Sequence, residues 1–131
     1  MKTTLKIETT RSIEAVDITE QAEQLAADLS DGDIFVYTKH TTVALVLCPG
    51  DDDFLRDIEK FVGRWPEAFG PYDHAEEDNP NSPAHLVSAV GGVQLLLPVD
   101  EGRIDIGTYQ RLVLVELDGP RSRAVTFRTR P

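Results

Sequence analysis

A mixed fold of helices and strands, held in one domain over residues 1–131, is what the sequence predicts. Three observations predict it. Short runs rich in Thr, Ile and Val alternate or cluster in the first fifty residues. Two stretches carry apolar residues at helical spacing, 22–29 and 54–65. From residue 93 onward, apolar runs and turn residues alternate in the manner of consecutive strands.

Taken in order, Thr3 to Glu8 and Ser12 to Ile18 read as strands. Thr19 stands where a cap would open a helix whose apolar positions are Ala22, Leu25, Ala26 and Leu29, with Asp31-Gly32-Asp33 ending it. Ile34 to Thr38 and Thr42 to Cys48 are β-branched, apolar runs broken by Pro49-Gly50. Asp51, Asp52 and Asp53 open the next helix, where carboxylates suit the positive end of the helix dipole. Its apolar face is Phe54, Leu55, Ile58, Phe61, Val62 and Trp65, and Pro66 is expected to end it. Glu67 to Asn81 has no periodic pattern and reads as a long loop. Ser82-Pro83 is a helix start, which places His85 in a first turn whose positive end disfavours imidazolium. Gly91-Gly92 stops that helix. Val93 to Val99, Arg103 to Ile106, Leu112 to Leu117 and Ala124 to Thr129 are the closing strands, with turns at 100–102 and 118–121.

Composition narrows the function. The net charge is -10, from 13 basic and 23 acidic residues. Such a surface repels phosphate backbones and argues against a nucleic-acid partner. Only four lysines are present, Lys2, Lys6, Lys39 and Lys60. An acidic, lysine-poor chain suits a halophilic source, although an ordinary acidic protein fits the charge equally well. The longest apolar stretches, Val43 to Leu47 and Val93 to Leu97, are far too short to span a bilayer. A cytoplasmic protein without a membrane partner is expected. The single cysteine, Cys48, ends an apolar run and reads as a small buried hydrophobe rather than a thiolate.

The chemistry gathers around three histidines, each in a polar segment: Lys39-His40-Thr41-Thr42, Tyr72-Asp73-His74 and Asn81-Ser82-Pro83-Ala84-His85. Imidazole carries protons at neutral pH and is a common metal ligand. Thr41 and Thr42 offer hydroxyls beside His40, and Asn79 and Asn81 offer amides beside His85. Lys39, Arg111 and Arg121 are candidate anion partners. The set suits a small phosphorylated metabolite. The bland alternative is that the threonines favour strand and the arginines balance nearby acids. No His-Glu-x-x-His, paired CxxC, P-loop or dinucleotide fingerprint is present.

Six segments occur in a telling order: Lys39-His40-Thr41-Thr42-Val43-Ala44-Leu45, Tyr72-Asp73-His74, Asn81-Ser82-Pro83-Ala84-His85-Leu86, Leu97-Pro98-Val99-Asp100-Glu101-Gly102, Gly107-Thr108-Tyr109-Gln110 and Asp118-Gly119-Pro120-Arg121. Together they resemble the YjbQ-like family, described as secondary thiamine-phosphate synthases. The resemblance implies an α+β domain with a twisted, mostly antiparallel sheet, a few helices and a homotrimeric assembly. It implies that His40, His74 and His85 line one pocket near a subunit boundary, as catalytic groups or ligands of a divalent metal, zinc being the natural choice. It implies substrate contacts from Thr41, Thr42, Asn81, Thr108, Gln110 and Arg121. The implied activity is a weak transferase reaction joining a hydroxymethylpyrimidine diphosphate to a thiazole phosphate. Two other readings stand beside it, a non-catalytic trimer binding metal or phosphometabolite and a metal-dependent phosphoester hydrolase. The chain departs from the family pattern at Pro49, where a Glu is usual, at Tyr109 for Trp, and at Pro83 for Asp or His. Glu76, Glu77 and Asp78 are candidates to replace the missing carboxylate.

Overall fold

In the computed structural model, which describes residues 1–74 and 80–131, eight strands and three α-helices form an α+β fold. Strands β1 (Lys2–Glu8) and β2 (Glu14–Asp17) precede helix α1 (Thr19–Leu29). Strands β3 (Gly32–Tyr37) and β4 (Val43–Cys48) lead to α2 (Asp52–Arg64), a 3-10 turn over Trp65–Phe69, and α3 (Ser82–Gly91). The chain closes with β5 (Gln94–Asp100), β6 (Arg103–Ile104), β7 (Arg111–Glu116) and β8 (Ser122–Arg130).

The strands divide into two sheets rather than the one the sequence implied. A five-stranded sheet runs β1-β8-β3-β5-β6, and a three-stranded sheet runs β2-β7-β4. The paired strands described are antiparallel throughout. The central strand of the small sheet, β7, explains its own composition. Leu112 and Leu114 face one way, into a cluster with Ile34, Val36, Leu97, Val125 and Phe127 of the large sheet and Ala22 and Ala26 of α1. Val113 and Val115 face the other way, onto Phe54, Leu55, Ile58 and Val62 of α2 and Val87 of α3. A strand covered on both faces needs apolar side chains at successive positions. Each such Leu or Val contributes about 1.5–3 kcal/mol of burial. The runs Val43–Leu47 and Leu112–Leu117 are thus largely spent inside one protomer, with Val43, Leu45, Leu112 and Leu114 at most 1% exposed.

Local signals explain the helix ends. Asp51 caps α2 by accepting from the Phe54 N–H at 3.3 Å, as the acidic run predicts. Thr19 is the first residue of α1 rather than its cap. The Asp17 carboxylate does the capping, accepting from Thr19 N–H at 2.9 Å and Thr19 hydroxyl at 2.6 Å. Pro66 does not stop the chain's helical course but sits inside the 3-10 turn, where its missing N–H costs nothing. The outer end of the α2 face is not core: Phe61 and Trp65 stack at 5.6 Å between centroids yet remain 59% and 37% exposed. Helix α3 ends where Gly92 takes φ 95° and its N–H bonds back to the Ser88 carbonyl. Cys48 is buried, and burial, with Asp17 adding to it, pushes its thiol up, which keeps it protonated.

Candidate functional site

The β3–β4 connection, the start of α3 and the start of β8 meet at one end of the small sheet. Register places them: Val43 of β4 pairs with Glu116 of β7, so the residues before 43 and after 116 lie together. Beneath them is an ion pair that the sequence reading did not single out. Glu116 is fully buried and Arg123 is 3% exposed. Arg123 Nε donates to Glu116 Oε1 at 2.8 Å, and Nη2 donates to Glu116 Oε2. Arg123 Nη2 also donates to the Thr42 carbonyl at 3.2 Å and the Thr42 hydroxyl oxygen at 2.8 Å. Glu116 further accepts from Thr9 Oγ1 at 2.7 Å and from the backbone N–H groups of Leu117 and Asp118, each at 3.0 Å. Burial alone would raise the Glu116 carboxyl, but the hydrogen bonds from Arg123, Thr9 and Asp118 outweigh it and hold the carboxyl below its usual range. Gly119 closes over this pair. A Cβ there would lie 2.4 Å from the Arg11 carbonyl oxygen and 2.7 Å from Glu116 Cγ.

The two histidines above the pair are held by their ring nitrogens. His40 Nε2 accepts the Ala124 backbone N–H at 3.0 Å. A neutral imidazole has one lone pair and one N–H, so the His40 proton is on Nδ1, which is a donor. Burial, chiefly, and the positive charge of Arg123 hold the His40 imidazole below its usual range, with Glu116 opposing and Arg121 adding to the lowering. A neutral ring is what the Ala124 bond requires. His85 Nδ1 faces the Thr41 carbonyl oxygen at 3.0 Å, so Nδ1 carries a proton and, in the neutral ring, Nε2 is the acceptor. The same nitrogen thus bears the proton in both rings, but the two present opposite characters: His40 a donor, His85 an acceptor. The His74 ring meets His85 edge-on, with centroids 5.2 Å apart.

Polar groups flank the imidazoles. Asn81 precedes α3, and its carbonyl accepts the His85 N–H at 3.1 Å. Its Nδ2 reaches Asp118 Oδ2 at 3.5 Å, while Oδ1 is buried without a hydrogen-bond partner among the described residues. Arg121 donates from Nε to the Asp118 carbonyl at 2.7 Å and from Nη2 to its carboxylate at 3.2 Å. Asn81 Oδ1, buried and unpartnered among the described residues, has hydrogen-bonding capacity to spare.

A model of the UPF0047 protein, YjbQ-like family matches residues 3–130. The chain belongs to this family. A UPF0047 protein of Archaeoglobus fulgidus is 39% identical over 121 residues, covering 92% of this chain and 94% of that one. The UPF0047 protein YugU of Bacillus subtilis is 31% identical over 127 residues, 94% of each. Among solved structures, a hypothetical protein of Aeropyrum pernix superposes with a TM-score of 0.90 at 30% identity, covering 99% of this chain and 98% of that chain. A protein of Sulfolobus solfataricus described as of unknown function gives 0.90 at 32%, covering 98% and 95%.

Within this YjbQ-like chain, the expected site residues fall into three groups. His40, Thr41, His85, His74, Asn81 and Arg121 assemble around the Glu116–Arg123 pair, by the contacts above. Thr42 is there too, but buried, its hydroxyl oxygen engaged by Arg123. Thr108 and Gln110 are elsewhere. They precede Arg111, which pairs with Cys48 at the far end of β7, about 17 Å from Glu116 at strand rise. There they line a polar cavity of about 370 Å³ with Thr19, Glu23, Arg103 and Arg111. Of the other anion candidates, Arg111 is engaged by Asp17, Nε to Oδ2 at 2.7 Å. Asn79, Glu76, Glu77 and Asp78 lie outside the described residues. Glu116 and Arg123 carried a readable signal. Period-two counting puts Glu116 on the face of Leu112 and Leu114, and Arg123 on the face of Val125 and Phe127. Two charges on inward faces must pair, and these do.

The three-imidazole metal set fits this arrangement poorly. Among the described residues no three of His, Cys, Asp and Glu are placed to share an ion. A metal on His40 Nδ1 would force the proton onto Nε2, against the Ala124 N–H. His85 Nε2 and the neighbouring His74 have no such conflict.

Proposed function

We propose that the histidine cluster binds a small phosphorylated metabolite and that its opposed hydrogen-bond polarity does the work. The His40 Nδ1–H, assigned from the Ala124 contact, donates to a phosphate oxygen. The bare His85 Nε2, assigned from the Thr41 contact, accepts from a hydroxyl or a protonated phosphate oxygen. Arg121 adds charge, and Asn81 Oδ1 accepts from the ligand's polar group. In the transfer that the family resemblance implies, the thiazole nitrogen attacks the pyrimidine methylene carbon. The C–N bond forms as the C–O bond to diphosphate breaks, and the electron pair leaves with the diphosphate. The contribution of His40 and Arg121 is electrostatic, aimed at the charge that grows on that leaving group.

A homotrimer belongs to the same proposal. Thr108 and Gln110 reach the histidines only if a neighbouring copy supplies them, since their own protomer places them at the other end of β7.

Purified protein is incubated with the hydroxymethylpyrimidine diphosphate and the thiazole phosphate, beside a His85→Ala control, and binding of inorganic pyrophosphate is measured by calorimetry. The transfer reading expects product above the control together with pyrophosphate binding that His40→Ala weakens. Pyrophosphate binding without product leaves a binding module. Absence of both product and pyrophosphate binding rules out a phosphometabolite site. A zinc site on His74 and His85 is the second reading, favoured by the free His85 Nε2. It expects phosphate release from a generic ester that a chelator abolishes.

A further inference from the structure

We infer that the buried Glu116–Arg123 pair is a positioning device that fixes the proton on Nδ1 of both His40 and His85. The inference rests on the reading of the histidine cluster as the site, and gives it a mechanism of assembly.

The pair reaches the two rings by separate routes. The first runs through Thr42. Arg123 Nη2 holds both the carbonyl oxygen and the hydroxyl oxygen of Thr42. The Leu117 N–H adds a second bond to that carbonyl at 3.1 Å. A residue clamped at its hydroxyl and its carbonyl has its Cα and N fixed in place, which leaves the peptide that precedes it only rotation about the N–Cα bond. That peptide carries the Thr41 carbonyl, the acceptor that selects the His85 Nδ1–H form. The second route runs along β8. With its side chain locked inward on Glu116, Arg123 fixes the backbone of its neighbour Ala124. The Ala124 N–H then meets His40 Nε2 at 3.0 Å, and its carbonyl accepts the Thr38 hydroxyl at 2.8 Å. That hydroxyl oxygen in turn accepts the His40 backbone N–H at 3.3 Å.

A buried ion pair is an expensive way to gain stability, since desolvation offsets most of the attraction. Its fork geometry has a different merit. Arg is planar and rigid in its donor directions, so it transmits position. The neutral histidine side chain in water favours the Nε2–H form. Holding two rings as Nδ1–H needs an acceptor and a donor set in place beforehand, and the pair sets both. Glu116 and Arg123 touch no ligand in this scheme, so they are positioning residues rather than catalytic ones.

The test reads tautomers directly. Long-range proton–nitrogen correlation spectra of protein labelled with nitrogen-15 histidine, at neutral pH and without ligand, separate Nδ1–H from Nε2–H for each ring. His40 and His85 are expected as Nδ1–H. In Glu116→Gln the His85 signal moves to a majority of Nε2–H, the reverse of the wild-type preference, and the His40 pattern is lost with it. Thr42→Val, a milder change that removes only the hydroxyl acceptor, moves His85 while leaving His40 as it was. Because Thr42→Val spares the ion pair, it keeps the test decisive if Glu116→Gln does not fold. Wild-type His85 protonated on Nε2, or folded variants with both rings unchanged, overturns the inference. Intact tautomers in a protein that binds no pyrophosphate would sink the proposed function and leave the positioning role standing.

Discussion

Replacing Glu116 with Leu separates what the buried pair does for stability from what it does for the site. The substitution leaves the Arg123 guanidinium in a pocket where it is 3% exposed, with Thr42 as its remaining acceptor among those described. Arg123 Nε loses its acceptor outright. Thr9 Oγ1 and the Leu117 N–H suffer less, because each has a second acceptor, the Arg121 and Thr42 carbonyls. The Asp118 N–H also loses its Glu116 acceptor, but the largest cost falls on the stranded Arg123 charge. Breaking a buried pair from one side typically costs about 3–5 kcal/mol. That is a large share of the roughly 5–15 kcal/mol that holds a domain together. Replacing both partners, Glu116→Leu with Arg123→Met, removes the stranded charge and is expected to return stability to within about 1 kcal/mol of wild type or above it. Urea unfolding followed by circular dichroism measures all three proteins, with an unchanged slope required for the comparison. The double variant should fold and yet lose pyrophosphate binding, since the ion pair no longer clamps Thr42 or holds Arg123 beside Ala124. A single variant within about 1 kcal/mol of wild type, or a double variant as damaged as the single, would refute the claim that the cost lies in the unpaired charge.

Two further outcomes follow from the ionisable groups. Stability should fall with pH in two steps. His40 is held below its ordinary value, so the unfolded chain takes up that proton first and stability declines as pH drops through about 6.5, a limb that His40→Gln removes. Asp17, Glu59 and Glu116 are also held below theirs, so the stability they contribute is present above about 4.5 and is lost as pH falls further. Urea midpoints that do not change between neutral pH and about pH 5 would contradict the first step, and midpoints that do not change between about pH 4.5 and about pH 3 the second. Cys48, 9% exposed with its thiol pushed up by burial, should resist a thiol reagent in the native protein and react fully in urea. Rapid native labelling would show that its end of β4 opens.

The element types were legible because periodicity survives in the folded chain. Ala22, Leu25, Ala26 and Leu29 do form the inner face of α1, and the segments read as strands are strands. What escaped was set by tertiary choice. Leu112–Leu117 reads as buried, but the run cannot say whether a helix layer or another subunit covers its second face; here α2 and α3 do. Phe61 and Trp65 obey helical spacing yet protrude, stacked on each other rather than buried in the core. At the site, His40, His85 and Asn81 were readable as polar residues in polar segments. Their division into donor and acceptor was not, since it depends on the backbone groups of Ala124 and Thr41 that face the rings. Thr108 and Gln110 show the opposite limit: a motif in the right order along the chain lies at the other end of β7 from the histidines, which order alone does not reveal.

The position of β8 governs how the chain comes to fold. It lies between β1 and β3, pairing Leu5 with Val125 on one side and Val36 with Phe127 on the other. Until residues 122–130 have been synthesised, the first strand has no neighbour to bond with, and β3 is paired on one side only. The nascent chain therefore exposes two unpaired strand edges through most of its translation. Closing the large sheet brings together segments some 120 residues apart in sequence, a topology that folds slowly and late. Arg123 arrives with that last strand, so the donor and acceptor rings receive their assignments only in the final act of folding.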